Sequence, residues 1–182
     1  MKKLILTSAI ALAGVSTISH AAPQTYEVEP SHFFIQFKVP HLGFSYVIGT
    51  FNDISGTYDY DSETGAISNV DVSVNTESLD SDHGERNKHL RSGDFLDVSN
   101  HPTATFKSTA WQDGKLTGEL TIHGETQEVT IPVTKMGEGE DPWGKYRSGF
   151  ESNFTVNFAD FGIPDKMAQA AEIYVTGEGV RQ

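Results

Sequence analysis

The sequence predicts an all-β domain in which about eight antiparallel strands form a barrel or a sandwich, together with one short helix. Short runs of alternating apolar and polar residues recur along the chain from residue 25 onward. Turn signals separate these runs at regular intervals, and Asp113-Gly114 is the clearest of them. Only the stretch 81–91 favours a helix. No internal repeat or linker divides the chain, so we expect one domain over residues 22–182.

The first strands are rich in aromatic residues. Residues 25–29 alternate until Pro30, which is expected to end the first strand, and residues 33–39 form the second. Residues 46–60 are long and β-rich, and their internal glycines predict bends or bulges. Such bends let a sheet curl, which favours a barrel without excluding a sandwich.

The remaining strands continue the hairpin pattern. A turn at residues 61–65 precedes the next run, and an acidic, glycine-rich loop occupies residues 137–144. The predicted strands centre on residues 67–74, 104–108, 116–122, 129–133, 150–158 and 173–180.

The stretch 81–91 is predicted to form a short polar helix that covers one end of the β structure. Asp82 is the expected N-cap, and Glu85 stands three residues later, as in a capping box. Leu79 and Leu90 are its only aliphatic anchors, so the helix cannot be a core element. The residues assigned to this polar cover are Arg86, His89, Arg91 and Asp94.

Three interpretations of this helix stay open. The first is a solvated helix held by exposed ion pairs, each worth about 0–1 kcal/mol. The second is a lid whose cations Arg86, Lys88, His89 and Arg91 face the polar end of a ligand. The third is a metal site from His83, Glu85 and His89, whose spacing is poor because residues two and six apart point in different directions on a helix.

The N-terminus is predicted to be an export signal. Lys2 and Lys3 precede an apolar run over residues 4–18, and Ser19-His20-Ala21 provides small residues before a cleavage point after Ala21 or Ala22. The apolar run is too short to span a membrane, and no cysteine follows it to carry a lipid anchor. We therefore expect residues 1–21 to be removed and the product to be periplasmic.

Composition excludes several functions. Removing Lys2 and Lys3 with the signal leaves 11 of the 13 basic residues against 25 acidic ones, a net charge of −14. A chain this acidic repels nucleic acid and anionic membrane surfaces, so neither nucleic-acid binding nor stable membrane insertion is expected. The absence of cysteine rules out thiol chemistry and Cys-type zinc sites.

No catalytic constellation or cofactor site is predicted. Residues 43–47 lack the final glycine of a Gly-x-Ser-x-Gly elbow, and His83-Gly84-Glu85 lacks the cysteine pair of a zinc deaminase. The acidic side chains of the 137–144 loop are interpreted as solvated. No metal site is predicted either, because the remaining histidines are scattered: His32, His41, His83, His89, His101 and His123.

Several motifs, taken in order, resemble the YceI family. They are Pro40-His41-Leu42-Gly43-Phe44-Ser45, Gly49-Thr50-Phe51, the charged segment from Asp82 to Leu96, Pro102-x-Ala104-Thr105-Phe106, the segment from Leu116 to Gly124, and Asp141-Pro142-Trp143-Gly144. The resemblance spans the mature chain and is most specific in the charged segment.

The resemblance implies a lipocalin-like antiparallel β-barrel with one short helix over an end, whose interior binds a polyisoprenoid chain of the quinone or polyprenyl type. An apolar tail suits an apolar lining, since each buried CH₂ contributes about 0.8 kcal/mol. The side chains assigned to the cavity from strand alternation are Phe37, Phe51, Val72, Phe106, Leu120, Ile131, Phe154 and Val175.

The predicted function is that of a non-enzymatic periplasmic carrier that sequesters an isoprenoid lipid or quinone. Two alternatives remain: an exported, stress-related β domain without a ligand, and an exported hydrolase. The formation of a homodimer stays open.

Overall fold

The computed structural model describes residues 22–164 and 167–182, so the predicted export signal lies outside the described residues. Within them the chain is almost entirely β. The strands are β1 (Gln24–His41), β2 (Ser45–Phe51), β3 (Ile54–Tyr60), β4 (Ile67–Asn75), β5 (Leu79–Asp80), β6 (Thr103–Gln112), β7 (Lys115–Ile122), β8 (Glu125–Pro132), β9 (Thr134–Glu140), β10 (Tyr146–Asn157) and β11 (Ala170–Arg181). The α-helix is α1 (Gly84–Arg91), and 3-10 turns cover Thr76–Ser78 and Phe158–Phe161.

The strands form one antiparallel sheet that curls back on itself. Nine of them lie in the order β8-β7-β6-β4-β3-β1-β11-β10-β9, while β2 pairs with β1 and β5. The two ends of this order, β8 and β9, are consecutive in the chain and only Val133 separates them. If β8 and β9, which one residue separates, are counted as one interrupted strand, this order contains eight strands. This confirms the predicted lipocalin-like barrel class with about eight strands.

The strand boundaries near the N-terminus differ from the prediction. Pro30 does not end a strand, because β1 continues through it to His41. The pairing of β1 with β11 instead shifts register between Val28 and Phe33. A proline, which lacks the N–H of a ladder bond, is tolerated at such an irregularity. One long strand therefore spans the length where two were expected.

The predicted hairpin turns are confirmed, and their backbone explains them. Asp113 and Gly114 both have positive φ, of 50° and 75°, between β6 and β7. His123 and Gly124 repeat this conformation between β7 and β8, with φ of 53° and 81°. Two consecutive positive φ values define the type I′ turn, whose twist matches that of the flanking strands.

The helix begins later than expected, and its cap is a different residue. His83 is the N-cap of α1, and its Nδ1 accepts the backbone N–H of Arg86 at 3.3 Å. The prediction that Asp82 caps the helix was wrong: Asp82 has a φ of 60°, and its own N–H donates to the Asp80 carboxylate at 2.9 Å. None of the residues of α1 is buried. Within the described residues, no helix combines the length and the apolar character needed to cross a membrane.

Three apolar clusters line the inside of the curled sheet. The first contains three tyrosines with aliphatic neighbours: Tyr26, Tyr58, Tyr60, Ile67, Leu116 and Ile131. The second gathers Leu120, Val156, Phe158, Phe161, Ile163 and Ala171. The third is smaller and consists of Val28, Ile54 and Val74. Partly buried phenylalanines, such as Phe106 and Phe154, pack against more than one cluster and so border the space between them.

Candidate functional site

The inside of the sheet holds a cavity of about 280 Å³. Its wall includes residues from all three apolar clusters and is almost wholly hydrocarbon. The few lining residues whose side chains carry polar atoms are Tyr58, Thr76, Thr105, Glu151 and Ser152. An apolar space of this kind, with few polar groups, is what a small or slender hydrophobic ligand requires.

All of the side chains assigned to the cavity from the sequence lie on this wall: Phe37, Phe51, Val72, Phe106, Leu120, Ile131, Phe154 and Val175. They come from strands on every side of the curled sheet. The structure therefore brings them together around one space, and their contact with a ligand is a proposal taken up below.

The wall also contains residues that the sequence reasoning did not assign. Those that stand at the same alternating positions include Val28, Phe33, Ile35, Val39, Val74, Leu116 and Ile173. Strand alternation could have found them, because the inward positions of β1 already form the series Phe33, Ile35, Phe37 and Val39. Gly177 could not have been found in this way, since it has no side chain to read.

The segment around α1 contributes to the wall through its apolar residues. Leu90, Phe95 and Leu96 line the cavity. The side chains assigned to the polar cover make other contacts. Arg86 donates from Nε to Ser81 Oγ at 2.8 Å, and Arg91 donates from Nη2 to the Leu79 carbonyl at 2.5 Å.

Two ion pairs that are at least partly exposed add to these contacts. Arg91 lies 3.4 Å from Glu77, and His89 lies 3.3 Å from Asp94, a residue more than half exposed. Exposed pairs of this kind contribute little to stability. Within the described residues, Arg86, His89, Arg91 and Asp94 do not line the cavity, and His83, Glu85 and His89 do not converge as metal ligands.

Packed aromatic rings adjoin the cavity at Tyr58 and Phe150, which line its wall. The Tyr26 and Tyr58 rings lie 5.3 Å apart and nearly parallel, and Phe150 meets Tyr58 edge-on at 5.6 Å. The Tyr58 hydroxyl donates to the Ser148 carbonyl at 2.9 Å and lies 2.7 Å from Ser148 Oγ. Burial raises the pKa of Tyr58 to about 12, although the hydrogen bond from Ser148 acts in the opposite direction.

Because of the Tyr58 phenol, we expect the stability of the fold to decrease at alkaline pH. A tyrosine in the unfolded chain has a pKa of about 10. The raised pKa in the folded state means that folding favours the neutral phenol, so its contribution is complete below pH 10 and is lost as pH rises toward 12. We expect a loss of roughly 2–3 kcal/mol in the free energy of unfolding across this window. Urea unfolding at pH 9 and pH 11.5 checks it: Tyr58→Phe should lose less between the two values than the wild type, while Tyr46→Phe, at an exposed ring, should behave like the wild type. An equal loss in all three proteins would contradict this assignment.

One polar atom on the cavity wall lacks a partner. Ser152, in β10, is only 7% exposed, and its Oγ has no hydrogen-bond partner within the described residues. Its neighbour Glu151 accepts a hydrogen bond from the Tyr174 hydroxyl at 3.1 Å. Burying an unpaired hydroxyl costs about 1–3 kcal/mol. Ser152 is therefore a site on the apolar wall where a polar atom of a ligand would be stabilised.

Known proteins share this sequence and architecture. The model of the YceI-like domain family matches residues 26–179. A UPF0312 protein of Pseudomonas aeruginosa strain LESB58 is 44% identical over 186 residues, covering 98% of this chain and 96% of the relative. A second UPF0312 protein, from Pectobacterium atrosepticum, is 40% identical over 188 residues, covering 100% of this chain and 98% of its own length.

Solved structures agree on the fold. The Campylobacter jejuni YceI protein superposes with a TM-score of 0.72 at 25% identity, covering 80% of this chain and 91% of that one. A polyisoprenoid-binding domain from Saccharophagus degradans superposes with a TM-score of 0.66 at 10% identity, covering 88% of this chain and 100% of that one. At such low identity the second likeness concerns the fold alone. The family model and the close relatives together establish that this chain belongs to the YceI-like domain family.

Proposed function

We propose that this protein is a periplasmic carrier that binds an isoprenoid lipid inside its barrel without chemically altering it. The observation that carries the proposal is the cavity of about 280 Å³ with an almost wholly hydrocarbon wall. A wall of this kind favours an apolar chain at about 25 cal/mol for each Å² removed from water.

Two further observations support this proposal. The chain belongs to the YceI-like family, and a domain with the same fold is described as polyisoprenoid-binding in Saccharophagus degradans. The sequence begins with an export-type segment, and the acidic composition keeps a carrier of apolar cargo dispersed in water.

The size of the cavity restricts the cargo. Ligand pockets usually measure about 300–1,000 Å³, so this cavity lies at the lower edge of the range. A prenyl chain of a few isoprene units suits it, while a longer chain would require rotation of the wall phenylalanines. We therefore expect geraniol and farnesol to bind without rearrangement of the barrel.

The experiment is native mass spectrometry on untagged, leaderless protein purified without detergent, before and after delipidation. A bound species of isoprenoid mass, or uptake of one equivalent of farnesol by the delipidated protein, is the expected result. Absence of extractable lipid together with no uptake of farnesol or a short-chain quinone would overturn the proposal and favour a β domain without a ligand. Turnover of an ester or glycan substrate by the same preparation would move the protein to the hydrolases.

Ser152 indicates that the cargo carries a polar atom. Without ligand, Ser152→Ala should raise the free energy of unfolding by about 1 kcal/mol, because it removes an unpaired buried hydroxyl. With ligand present, the same substitution should weaken the binding of a short-chain quinone several-fold more than the binding of a prenyl hydrocarbon of equal length. Only the quinone can accept a hydrogen bond from the Ser152 hydroxyl. Chemical unfolding and competition binding measure the two effects. Equal weakening of both ligands would show that Ser152 contacts no polar atom of the cargo.

A further inference from the structure

Three ligand-type side chains converge outside the cavity, at the β7–β8 turn. Asp97 and His101 belong to the loop between α1 and β6, and His123 belongs to the turn itself. One side-chain donor atom from each lies within 4.8 Å of the other two. The three residues are partly buried, so they form neither a solvated surface group nor a closed core contact.

The imidazole rings of His101 and His123 lie close together, and neither ring makes a hydrogen bond to a described residue. Their ring centroids are 4.4 Å apart at an interplanar angle of 47°. Within the described residues, neither His101 nor His123 makes a side-chain hydrogen bond, and no ion pair joins them to Asp97. Half-buried imidazoles usually hydrogen-bond to a carbonyl, a carboxylate or water, and two unpaired imidazoles beside a carboxylate form a set of donors that faces one point.

The carboxylate is fixed from its outer side. The Asn100 side-chain amide donates to Asp97 Oδ2 at 2.8 Å, and the Ser99 hydroxyl donates to Oδ1 at 3.1 Å. Each oxygen keeps a second lone pair. Hydrogen bonds of this kind orient a carboxylate that binds a metal ion and are common behind metal ligands.

The backbone makes room for this arrangement. Gly124 has a φ of 81°, and a Cβ there would lie 2.7 Å from His101 Cε1. Any other residue at this position would displace the His101 ring. A Cβ at Gly162 would lie 3.8 Å from His123 Nδ1, which is an ordinary contact distance.

We propose that Asp97, His101 and His123 bind one divalent transition-metal ion of the Zn²⁺ class. Two imidazole nitrogens and one carboxylate oxygen suit Zn²⁺, Co²⁺ or Ni²⁺, whereas Ca²⁺ and Mg²⁺ prefer oxygen ligands alone. Zn²⁺ holds such ligands at about 2.0–2.2 Å, so neighbouring ligands of a tetrahedral ion lie roughly 3.4 Å apart. Since the donor atoms already lie within 4.8 Å of one another, a closure of at most about 1.4 Å brings them to this spacing.

The site would act as a tie near the cavity. Leu96 and Ile122, which are sequence neighbours of Asp97 and His123, both line the cavity wall. A bound ion would join the loop after α1 to the β7–β8 turn and so fix this end of the wall. This inference is independent of which lipid the cavity holds.

A second group of potential ligands makes a useful contrast. Glu29, His32 and Glu178 also come within 4.8 Å of one another. Their charges are already engaged: Glu178 accepts from Arg147 at 2.6 Å, and His32 pairs with Glu29. The positive charge of Arg147 beside this group would repel a metal cation, so the group serves as the control and not as a second site.

The test uses untagged, leaderless protein in chelator-free buffer, titrated with ZnCl₂ in a calorimeter and with CoCl₂ in a spectrophotometer. We expect one equivalent to bind and Co²⁺ to give the visible absorption of a four- or five-coordinate ion. His101→Asn and His123→Asn should each raise the dissociation constant by about 100-fold or more, since losing even an outer-shell partner costs roughly 10–100-fold. His32→Asn should leave it unchanged. Metal should also raise the melting temperature of the wild type but not of the two site variants.

Several outcomes would overturn the site. Failure of the wild type to bind either metal at 0.1 mM would do so, as would binding that persists in both site variants or that is lost in His32→Asn. Circular dichroism confirms that each variant is folded. Asp97→Asn, which keeps the size of the side chain, provides a third ligand variant if an imidazole variant does not fold.

Discussion

Replacing Phe106 with aspartate is expected to abolish lipid binding while the barrel stays folded. The Phe106 ring lies on the cavity wall and packs against two of the three apolar clusters. In the ligand-free protein the new carboxylate could keep part of its hydration, whereas an entering apolar chain would remove that water. The effective penalty for burying an unpaired charge is several kcal/mol. Each 1.4 kcal/mol is tenfold in affinity, so the dissociation constant for farnesol should rise by more than about 100-fold.

The matched control places the same change on the other face of the sheet. Phe34 is 52% exposed, and Phe34→Asp should alter farnesol affinity by less than about twofold, in line with other surface substitutions. Phe106→Leu keeps the wall apolar and separates the effect of charge from the loss of the ring. Native mass spectrometry measures binding, and thermal unfolding shows that each variant is folded. Undiminished uptake by folded Phe106→Asp would place the lipid elsewhere.

If Phe106→Asp does not fold, a second variant tests the same site. Val72→Trp fills the cavity from the adjacent strand and is expected to block uptake.

Gly177→Ala is expected to destabilise the barrel strongly. Gly177 lies opposite Phe33 in the β1–β11 pairing and opposite Phe150 in the β10–β11 pairing. A Cβ at this position would lie 2.3 Å from Phe33 Cδ2 and 2.7 Å from the Phe33 Cα. Rotation of the ring cannot relieve the second contact, because it involves the backbone. Overpacking of this kind costs about 3 kcal/mol, which corresponds to a fall of roughly 6–12 °C in melting temperature.

Gly149→Ala is the control for this change. Gly149 lies in the neighbouring strand β10, and the nearest atom to a Cβ there is the Gly177 carbonyl oxygen at an ordinary 3.6 Å. The free energy of unfolding of this variant should therefore stay within about 0.5 kcal/mol of the wild type. Calorimetric melting of the two variants compares them directly. Equal melting temperatures would mean that β1 and β11 separate more easily than their pairing suggests.

The fold was predictable because the sequence repeats one simple signal. Alternation decides which face of a strand is inward, and on this basis residues as far apart as Phe37 and Val175 were assigned to one cavity wall on which both lie. The turn at Asp113-Gly114 was equally readable, since few residues other than asparagine, aspartate and glycine adopt positive φ easily. The hollow interior came from the family resemblance, because alternation alone cannot distinguish a filled barrel from an open one.

The features that escaped prediction depend on contacts between distant segments. His101 and His123 are 22 positions apart, and only the pairing of β6 with β7 brings them together. The helix cap was misassigned because Asp82 adopts the left-handed conformation to place its N–H on Asp80. Ser152 looks like any other strand serine in the sequence, and its unpaired state is visible only when every neighbour is known.

The pairing of the first strand with the last governs how this domain can form. β1 pairs with β11 between Tyr26 and Lys38, so residues about 140 positions apart must meet before this part of the sheet forms. Such non-local pairings slow folding, because the entropy of closing a long loop is lost before any contact compensates for it. The C-terminal strand must also be available before β1 can complete its pairing. Until residues 170–181 have been synthesised, β1 therefore keeps its backbone unpaired on the side that faces β11.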